Sequence, residues 1–397
     1  MAETPINIIT TTTLFPNAVQ ASHGIFVETR LRRLLADGRV RARVLAPVAW
    51  VPRGVPKAEW AKLRQIPDRE KRNAIAIDHP RYLVVPKIGM NLTPYTLYAA
   101  LRKRFERLMA AGEKFDVIDA HYFYPDGVAA VWLGKAFNIP VVITARGTDI
   151  NLIPEYPTPR RLILEAARDA GALVTVCQAL KDRLVELGVP SSKVTVLRNG
   201  VDLEVFQMQD RASLRKKWDL NGLVLVSVGL LIERKGHDLA IAAMPQVPDA
   251  TLLIIGSGPE RGSLEKLAER LGVKDRVRFL GMLDQKMLSE IYNGADALIL
   301  ASSREGWANV LLESMACGTP VLASAVWGTP EVVAAPEAGL LLKNRDAAAI
   351  VGAIAQLRSA LPDRTATRRY AEKFDWQSTT DGQVKIFEAL KSRSVSR

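Results

Sequence analysis

Short apolar runs alternate with longer helical patterns along almost the whole chain. Many of these runs are continuously apolar, which is typical of strands covered on both faces. The predicted strands cover residues 6–11, 41–47, 115–121, 140–145, 172–177, 223–229, 250–256, 277–281, 296–302 and 320–324. Helical patterns between them cover 26–36, 97–111, 161–169, 179–187, 236–245, 259–271, 285–292 and 307–317. This alternation predicts an α/β fold with doubly wound parallel sheets, and it is extensive enough for two.

The chain length favours two domains, because a single core for 397 residues would be unusually large. A turn-prone Asn199-Gly200 pair separates the two series of strands. We therefore predict an N-terminal Rossmann-like domain over residues 1–198 and a C-terminal one over 199–375. In the tail, Val384, Phe387 and Leu390 recur at helical spacing, which predicts a final helix within 376–397.

The net charge of +12 is concentrated in the first half of the chain. Residues 1–200 hold 29 basic and 18 acidic side chains, whereas residues 201–397 hold 25 and 24. A basic half indicates an acidic partner, which can be a phosphate-bearing ligand, an anionic membrane or a nucleic acid. The excess is densest in residues 30–72, with 13 basic and 4 acidic side chains.

A second basic segment lies in the helix predicted over 97–111. Apolar side chains recur there at helical spacing, and basic ones occupy the rest of the helix: Leu97, Leu101, Phe105, Leu108 and Met109 against Arg102, Lys103, Arg104 and Arg107. The pattern fits a helix that lies on an anionic membrane. It fits equally a helix that faces the core and exposes a solvated basic face.

Several classes of protein are excluded or disfavoured. Cys177 and Cys317 are far apart in apolar surroundings, so they indicate neither a disulfide framework nor a metal site. The first residues, MAETPINIIT, lack the pattern of a signal peptide. No stretch approaches the ~20 apolar residues that a membrane-spanning helix needs. We expect a cytoplasmic protein, with peripheral contact to the inner face of the cell membrane left open.

The densest functional motif is SSREGWANVLLESMACGTPVLAS, residues 302–324. Glu305 and Gly306 follow a predicted strand, and a helix begins near Asn309 and Val310, with Glu313 inside it. The helix N-terminus therefore faces the carboxyl end of the sheet, where backbone N–H groups favour phosphate. Glu313 could accept hydrogen bonds from sugar or ribose hydroxyls. Two glutamates eight residues apart can also be ordinary solvated side chains.

This motif resembles the Glu-x7-Glu signature of the retaining glycosyltransferases of family four, which have the GT-B fold of two Rossmann-like domains. Further similar segments are SHGIFVETRL (22–31), VLRNGVD (196–202), VGLLIERKG (228–236) and LLIIGSGPE (252–260). SHGIFVETRL and ITARGTDIN (143–151) look most like the branch that makes teichuronic acids and exopolysaccharides. The resemblance implies a donor domain at the C-terminus, an acceptor domain at the N-terminus and reaction in a cleft between them. It also implies that the final helix returns to the N-terminal domain.

The resemblance assigns a diphosphate site to the segment after residue 228. Lys235 precedes a glycine, so a tight turn offers backbone donors beside an ammonium group that can neutralise a leaving diphosphate. Gly229 and Gly256 belong to the same donor site by resemblance. Relatives usually carry an arginine five residues before this lysine, and here Leu230 stands there. We expect Arg234 to replace it. Lys235 can also be a surface lysine at a helix start.

Two polar residues follow strands in the first half. Many relatives carry His-Gly-x-Asp where this chain has Arg146, Gly147, Thr148 and Asp149. Arginine cannot act as a base, but it can bind a hydroxyl, a carboxylate or a phosphate, which suggests a uronic acid sugar or the diphosphate of an acceptor. Alternatively, Arg146 pairs with Asp149 or Glu155 and holds the loop. His121 follows another strand and is either a substrate contact or a structural histidine.

The segment around residue 24 is the remaining candidate. Gly24 lets a backbone approach a phosphate closely, and His23 lies beside it at the start of a helix that carries Arg30. We expect Gly24 at the donor phosphates and His23, Arg30 and Tyr122 at the acceptor. The Tyr122-Phe123-Tyr124 cluster is more typical of a core or an acceptor lining than of base stacking.

Two other functions are disfavoured. Gly256, Gly258 and Gly262 are spaced GxGxxxG rather than GxGxxG, and the first strand lacks glycines, which disfavours an NAD-dependent enzyme. No nucleic-acid-binding motif occurs, so a nucleic-acid partner is not expected.

The combined prediction is a retaining, metal-independent hexosyltransferase without a cofactor. Its expected partners are a UDP- or GDP-type nucleotide sugar and a cell-surface glycan or polyprenyl-diphosphate-linked acceptor, with peripheral contact to an anionic membrane. In the catalytic group we place Glu305, Lys235, Arg146 and His121. A sugar phosphorylase, an epimerase and a non-catalytic scaffold of the same fold remain alternatives. The sequence leaves open the base, the sugar, the linkage, the acceptor and the oligomeric state.

Overall fold

The computed structural model describes residues 4–52, 58–85 and 89–395. The chain divides into two compact units. The first unit comprises Met1–Leu197 and Trp376–Arg397, and the second comprises Arg198–Asp375. The basic stretch over 30–72 includes Arg53 and Lys57, which lie outside the described residues.

The first unit contains ten strands and seven helices before residue 198, counted over the described residues. Its strands are β1 (Ile6–Thr11), β2 (Val40–Leu45), β3 (Val48–Trp50), β4 (Arg69–Arg72), β5 (Ile75–Asp78), β6 (Arg81–Leu83), β7 (Val117–His121), β8 (Val141–Ala145), β9 (Ala172–Thr175) and β10 (Val194–Val196). Its helices are α1 (Ile25–Ala36), α2 (Ala58–Leu63), α3 (Gly89–Ala110), α4 (Val128–Phe137), α5 (Thr148–Asn151), α6 (Pro157–Asp169) and α7 (Gln178–Glu186). A π-helical turn, Phe123–Gly127, follows β7, and 3₁₀ turns occur at Ile153–Glu155 and Ser191–Lys193.

The main sheet of this unit has the order β10-β9-β8-β7-β1-β2-β5-β4. All neighbouring pairs are parallel except β4 and β5, which are antiparallel at one edge. A small parallel sheet pairs β3 with β6. Because β1 is followed by β2 on one side and lies beside β7 on the other, the direction of winding reverses between β1 and β7. Loops at their carboxyl ends therefore diverge and leave a crevice in which α/β proteins bind ligands.

The second unit has a single six-stranded sheet. Its strands are β11 (Leu223–Val228), β12 (Ala250–Ile255), β13 (Val277–Gly281), β14 (Ala297–Leu300), β15 (Val321–Ser324) and β16 (Gly339–Leu342). Its helices are α8 (Arg211–Lys217), α9 (His237–Ala243), α10 (Arg261–Arg270), α11 (Gln285–Gly294), α12 (Asn309–Ala316), α13 (Thr329–Val332), α14 (Ala347–Ser359) and α15 (Arg364–Glu372). Single 3₁₀ turns cover Glu233–Lys235, Met244–Gln246, Lys274–Arg276 and Pro336–Ala338. The sheet order, β13-β12-β11-β14-β15-β16, is the parallel 3-2-1-4-5-6 order of dinucleotide-binding folds.

The last helix, α16 (Gln377–Val395), belongs to the first unit and contacts α1, β1 and β7. Val384 and Phe387 are fully buried there and Leu390 is 6% exposed, because their spacing places all three on one face of the helix. This face completes the core that β1 and α1 begin with Ile8, Val27 and similar side chains.

The predicted fold class, α/β with doubly wound parallel sheets, is confirmed. Each of the ten predicted strands is present with bounds within two residues of those expected. The predictions missed β3 to β6, β10 and β16, together with helices α2, α4, α5, α8 and α13 to α15. β4 has the sequence Arg-Glu-Lys-Arg and lies at a sheet edge, where charged side chains remain solvated. An edge strand of this kind has no apolar pattern to detect.

Candidate functional site

The winding of the second sheet reverses between β11 and β14, and two loops follow the carboxyl ends of these strands. The β11 loop runs from residue 229 to 236, and the β14 loop from 301 to 308. The donor-site residues expected from the sequence, apart from Gly24 and Gly256, lie in these loops and in the helix α12 that follows. Their position corresponds to the ligand crevice of an open parallel sheet.

Glycines allow the two loops to meet. Gly236 has a φ of +70°, and a Cβ atom added there would lie 2.1 Å from the Ala301 carbonyl oxygen. Gly256 follows β12, and a Cβ atom there would lie 1.8 Å from the carbonyl oxygen of Gly229. No side chain fits at such distances, so backbone contact at both positions requires glycine. The result is that Lys235 is held against the end of β14.

Lys235 and Glu305 form an ion pair across the two loops, with 2.6 Å between Nζ and Oε1. The Ser302 hydroxyl donates to the same carboxylate oxygen at 2.6 Å. Glu305 is only 7% exposed, so the attraction is screened less than on an open surface. The sequence-predicted pair is therefore brought together at the carboxyl end of the sheet.

Arg234 belongs to the same cluster. One terminal nitrogen of its guanidinium lies 3.8 Å from the second Glu305 oxygen and donates to the Arg304 carbonyl at 2.7 Å. Leu230, in contrast, exposes 54% of its surface, and its backbone carbonyl contacts His237 Nε2 at 3.2 Å. Two cations thus face one carboxylate, and the replacement of the arginine that relatives place at position 230 by Arg234 stays a prediction.

Helix α12 starts directly after this cluster. Gly306 is buried, Asn309 and Val310 form the first turn, and Ala308 provides no side-chain cap. The Asn309 side-chain oxygen accepts a hydrogen bond from Asn199 Nδ2 at 3.3 Å. Glu313 lies one turn further on, where its Oε2 is 3.5 Å from the Tyr292 hydroxyl. Burial raises the pKa of Glu313 to about 7, and the hydrogen bond from Tyr292 opposes this shift.

In the first unit, the corresponding crevice lies between β1 and β7. Gly24 precedes α1 with a φ of +68°, and a Cβ atom there would lie 2.3 Å from the Leu14 carbonyl group. His23 is exposed, and its Nε2 lies 2.9 Å from the Thr13 carbonyl oxygen. Tyr122 is half-buried at the end of β7 and donates its backbone N–H to the Thr144 carbonyl at 3.0 Å.

His121 and Arg146 form a buried network with Asp119. A terminal nitrogen of Arg146 lies 2.6 Å from His121 Nδ1, and His121 Nε2 lies 3.0 Å from Asp119. Arginine only donates, so Nδ1 accepts and Nε2 must carry the proton donated to Asp119. Burial lowers the pKa of His121 to about 4, the Asp119 charge opposes this shift, and the Arg146 charge adds to it. His121 is therefore a neutral histidine with a fixed tautomer.

The two loop-holding partners expected for Arg146 behave differently: Asp149 binds this loop through backbone groups, and Glu155 pairs with another arginine. The Asp149 carboxylate accepts backbone N–H groups from Phe123, Arg146 and Gly147, at 2.6 to 3.1 Å. Glu155 pairs with Arg183 at 2.6 Å. Asp149 thus binds the backbone of Arg146, and the guanidinium contacts His121.

Arg30 does not lie at an acceptor surface, which corrects the expectation from the sequence. Its side chain is only 2% exposed, with Nε donating to Gln383 Oε1 at 2.9 Å and a terminal nitrogen donating to the Leu197 carbonyl at 3.1 Å. Burial lowers its pKa to about 10, against the attraction of Asp119. The physical reason is that α16 covers this face of α1, which the sequence pattern of α1 alone does not reveal.

Sequence reasoning also missed Asp126. This side chain is 1% exposed, and its carboxylate accepts the Thr13 backbone N–H at 2.5 Å and the Thr13 hydroxyl at 2.9 Å. Burial raises its pKa to about 7, and the two hydrogen bonds from Thr13 partly oppose this shift. Asp126 therefore joins the β7 loop to the β1 loop. The only signal for it was its position in a Pro-Asp-Gly turn before an apolar helix.

The described parts of the chain lack two kinds of feature. There, no group of three or more His, Cys, Asp or Glu side chains is placed to hold a metal ion. None of the helices described is both long and apolar enough to cross a membrane.

Comparison with known families matches both parts of the chain. Residues 209–374 match the family model described as glycosyl transferases group 1, and residues 27–205 match that of glycosyltransferase family 4. A D-inositol 3-phosphate glycosyltransferase from Acidothermus cellulolyticus is 33% identical over 310 residues, which cover 71% of this chain and 69% of that protein. The N-acetyl-alpha-D-glucosaminyl L-malate synthase of Bacillus anthracis is 29% identical over 310 residues, covering 76% and 77%.

Solved structures match over nearly the full length. Sucrose-phosphate synthase from Thermosynechococcus elongatus has a TM-score of 0.81 at 21% identity, with 98% of this chain and 100% of that chain covered. Anabaena HepE in complex with UDP-glucose has a TM-score of 0.74 at 20% identity, with 98% and 100% covered. The shared architecture confirms the predicted GT-B fold.

Proposed function

Because this chain belongs to the group 1 glycosyltransferases of family 4, and is thus a hexosyltransferase with the GT-B fold, we propose that it transfers a hexose from a UDP- or GDP-sugar, with retention at the anomeric carbon. The proposed acceptor is a cell-surface glycan or a polyprenyl-diphosphate-linked precursor. We propose further that the reaction needs neither a metal ion nor a cofactor, and that the enzyme works on the cytoplasmic face of the cell membrane.

The observation that carries this proposal is the cluster of Lys235, Arg234 and Glu305 at the crevice of the second sheet. Two cations face one carboxylate, so the cluster has a net charge of about +1 before a ligand binds. The diphosphate of a nucleotide sugar brings two negative charges, and it can take over Lys235 and Arg234 while the carboxylate turns to the sugar hydroxyls. Complexes of Anabaena HepE with UDP and UDP-glucose support the choice of ligand class.

In the proposed reaction, the bond between the anomeric carbon and the diphosphate oxygen breaks, and a bond to the acceptor oxygen forms on the same face. The acceptor hydroxyl proton moves to the departing diphosphate oxygen, so no protein nucleophile is required. Lys235 and Arg234 offset the negative charge that develops on the diphosphate, and the first turn of α12 adds backbone N–H donors. Glu305 and Gly306 are proposed to hold the sugar, and Glu313 the ribose.

The test is the release of nucleoside diphosphate from a panel of UDP- and GDP-sugars, with and without a polyprenyl-diphosphate-linked acceptor. We expect acceptor-dependent release from one donor, unchanged by EDTA. Lys235→Ala should lower the rate about 100-fold or more, the effect of removing one group that stabilises transition-state charge. Lys274→Ala, at an exposed position in the same unit, is the matched control and should be silent.

The alternatives give different outcomes in the same assay. A phosphorylase would form sugar 1-phosphate from inorganic phosphate, and an epimerase would change the sugar without any acceptor. A scaffold would bind nucleotide without turnover. Equal activity of Lys235→Ala and Lys274→Ala would contradict the assigned phosphate site.

A further inference from the structure

The first unit exposes large apolar side chains at the ends of β3 and β6 and in the first turns of α3. The proposed reaction does not use them. Trp50 is 50% exposed and Leu83 is 46% exposed, while Met90, Leu92 and Tyr95 are 39%, 41% and 49% exposed. Single exposed apolar residues are normal, but several that lie together mark an interaction surface. We call these five residues the apolar platform.

Backbone pairing brings the members of the platform together. Trp50 and Leu83 are register partners at the ends of β3 and β6. The Thr96 hydroxyl of α3 donates to the Leu83 carbonyl at 2.7 Å, which fixes the end of β6 beside the first turns of α3. Leu92 lies one helical turn before Thr96. The small sheet and the start of α3 therefore lie side by side, and the five residues are exposed positions of these neighbouring elements.

Aromatic residues of neighbouring elements contact the start of α3. The Tyr95 ring packs on Trp132 of α4 with 4.7 Å between ring centroids. The Tyr124 hydroxyl donates to the Met90 carbonyl at 2.5 Å. These contacts hold the start of α3 in place, so the exposed side chains present a preformed surface.

The apolar stripe of α3 recognised in the sequence is a different feature. Leu97, Leu101, Phe105 and Leu108 are all buried in the core of the unit. Arg104 lies 3.3 Å from Asp78, and Arg102 pairs with Glu106 at 2.8 Å. The later turns of α3 therefore form a core-facing helix with a largely solvated basic face. Of the two alternatives that the sequence left open for this helix, the structure shows the core-facing one, because only Met109 among the apolar members of the stripe reaches the surface.

Basic side chains border the platform. Arg64 is exposed and donates to the Pro52 carbonyl at 3.0 Å, two residues from Trp50. Exposed Arg102 lies two turns from Tyr95 on the same side of α3, and exposed Lys103 follows it. Apolar and aromatic groups bordered by cations suit the interface of a bilayer that carries anionic lipids.

We propose that the apolar platform docks this glycosyltransferase on an anionic membrane surface, with Trp50 and Leu92 inserted among the headgroups. The proposal deepens the proposed function, because it gives a lipid-linked acceptor a defined side of the first unit to approach from. Tryptophan and tyrosine are enriched at membrane interfaces, which agrees with the composition of the platform.

The test is co-sedimentation of the full chain with two kinds of vesicle. One kind contains phosphatidylcholine alone, and the other also contains about 30% phosphatidylglycerol. We expect binding to the anionic vesicles that weakens at high salt. Trp50→Glu and Leu92→Glu should each lower the partition coefficient about tenfold or more, because each places a charge where an apolar group enters the interface. Leu361→Glu, at a leucine of the second unit that is 56% exposed, is the matched control and should bind like the wild type.

A second measurement locates the contact. Vesicles with brominated acyl chains should quench tryptophan fluorescence in the wild type, and Trp50→Leu should lose most of this quenching while it still binds. Equal partition of all variants, equal binding to neutral vesicles, or quenching that persists in Trp50→Leu would each overturn the proposal. So would a change of Leu92→Glu from dimer to monomer without vesicles, since a second copy of the chain would then cover the platform.

Failure of the docking proposal is distinguishable from failure of the proposed function. Trp50 and Leu92 lie outside the nucleotide-binding cluster, so the affinity for UDP, measured by calorimetry in the absence of vesicles, should be equal in wild type and variants. Weaker UDP binding in Lys235→Ala, with vesicle binding intact, would separate the two properties.

Discussion

Replacing Gly236 by alanine tests whether close backbone contact positions Lys235, the lysine proposed to bind the diphosphate. The residue has a φ of +70°, and its added Cβ atom would lie 2.1 Å from the Ala301 carbonyl oxygen. Ordinary contact begins at 3.4 Å, so the β11 loop must move away from β14 by the difference, about 1.3 Å. Lys235 directly precedes the glycine and would move with it, away from Glu305.

Gly272→Ala is the matched control, because Gly272 has a φ of +68° but nothing within 4 Å of an added Cβ atom. Both variants share the cost of a left-handed alanine, about 1–2 kcal/mol, reduced by about 0.4–1 kcal/mol through the stiffer unfolded chain. Gly236→Ala adds an overpacking cost of about 1–3 kcal/mol. For a unit of this size, each kcal/mol lowers the melting temperature by about 2–4 °C.

Thermal unfolding, UDP calorimetry and turnover of the preferred donor would be measured on both variants. We expect Gly272→Ala to melt slightly lower and to retain activity. Gly236→Ala should melt lower still and lose activity about 100-fold, since a misplacement of about 1 Å costs that much. Equal turnover in the two variants would refute the reasoning, because it would show that the contact with Ala301 does not determine where Lys235 lies.

Two further predictions concern titratable groups. The pKa of Glu313 is raised from 4.5 to about 7, so its contribution to stability is full below pH 4.5 and is lost as the pH rises to about 7. Glu313→Gln lacks this loss, so its free energy of unfolding in urea should rise relative to that of the wild type by about 2 kcal/mol between pH 4.5 and 7. Parallel curves of unfolding free energy against pH would contradict the burial of this carboxyl group. Arg146→Ala removes a donor and a positive charge from His121 while Asp119 stays, so the pKa of His121 should rise from about 4 towards 6.5. Histidine NMR should then show a titration above pH 5 that the wild type lacks, and an unchanged His121 signal would remove Arg146 from the network.

The position of the candidate-site loops could be predicted from the sequence, because the strands before them and the motifs within them were both recognisable. Once residues 223–229 and 296–302 are recognised as parallel strands, their following loops must lie at the same edge of one sheet. That Lys235 and Glu305 form an ion pair depends on the pairing of β11 with β14, which the sequence did not predict. Whether Arg234 faced the same carboxylate could not be predicted, because it depends on the 3₁₀ turn over Glu233–Lys235.

Several missed helices had a usable signal. α8, α14 and α15 each follow an aspartate whose carboxylate accepts a backbone N–H in the first turn: Asp210, Asp346 and Asp363. This is the preferred start of a helix, and a search for it would have found all three. Helix α4 had no comparable signal, because its sequence is apolar on nearly all sides and shows no period.

Buried charges were the main failure of the sequence reasoning. Arg30, which was expected at the acceptor, and Glu28 both lie on α1. In the structure, Glu28 pairs with Arg72 at 3.1 Å and Arg30 lies beneath α16. Both partners are distant in sequence, 44 residues away for Arg72 and 353 for Gln383. No local pattern encodes such contacts.

In both units, a buried carboxylate joins two loops at the carboxyl end of the sheet, but the groups that bind this carboxylate differ. In each unit, a glycine with positive φ also permits a close backbone contact. In the second unit Glu305 accepts from the ammonium of Lys235, whereas in the first unit Asp126 accepts from the neutral backbone N–H and hydroxyl of Thr13. Burial can therefore raise the pKa of Asp126 to about 7. The half of the chain with almost no net charge thus contains a concentrated pair of cations suited to a diphosphate, while the first-unit crevice closes on neutral groups. This contrast supports a donor site in the second unit, and it indicates that the excess charge of the first half acts at its surface, where the apolar platform lies.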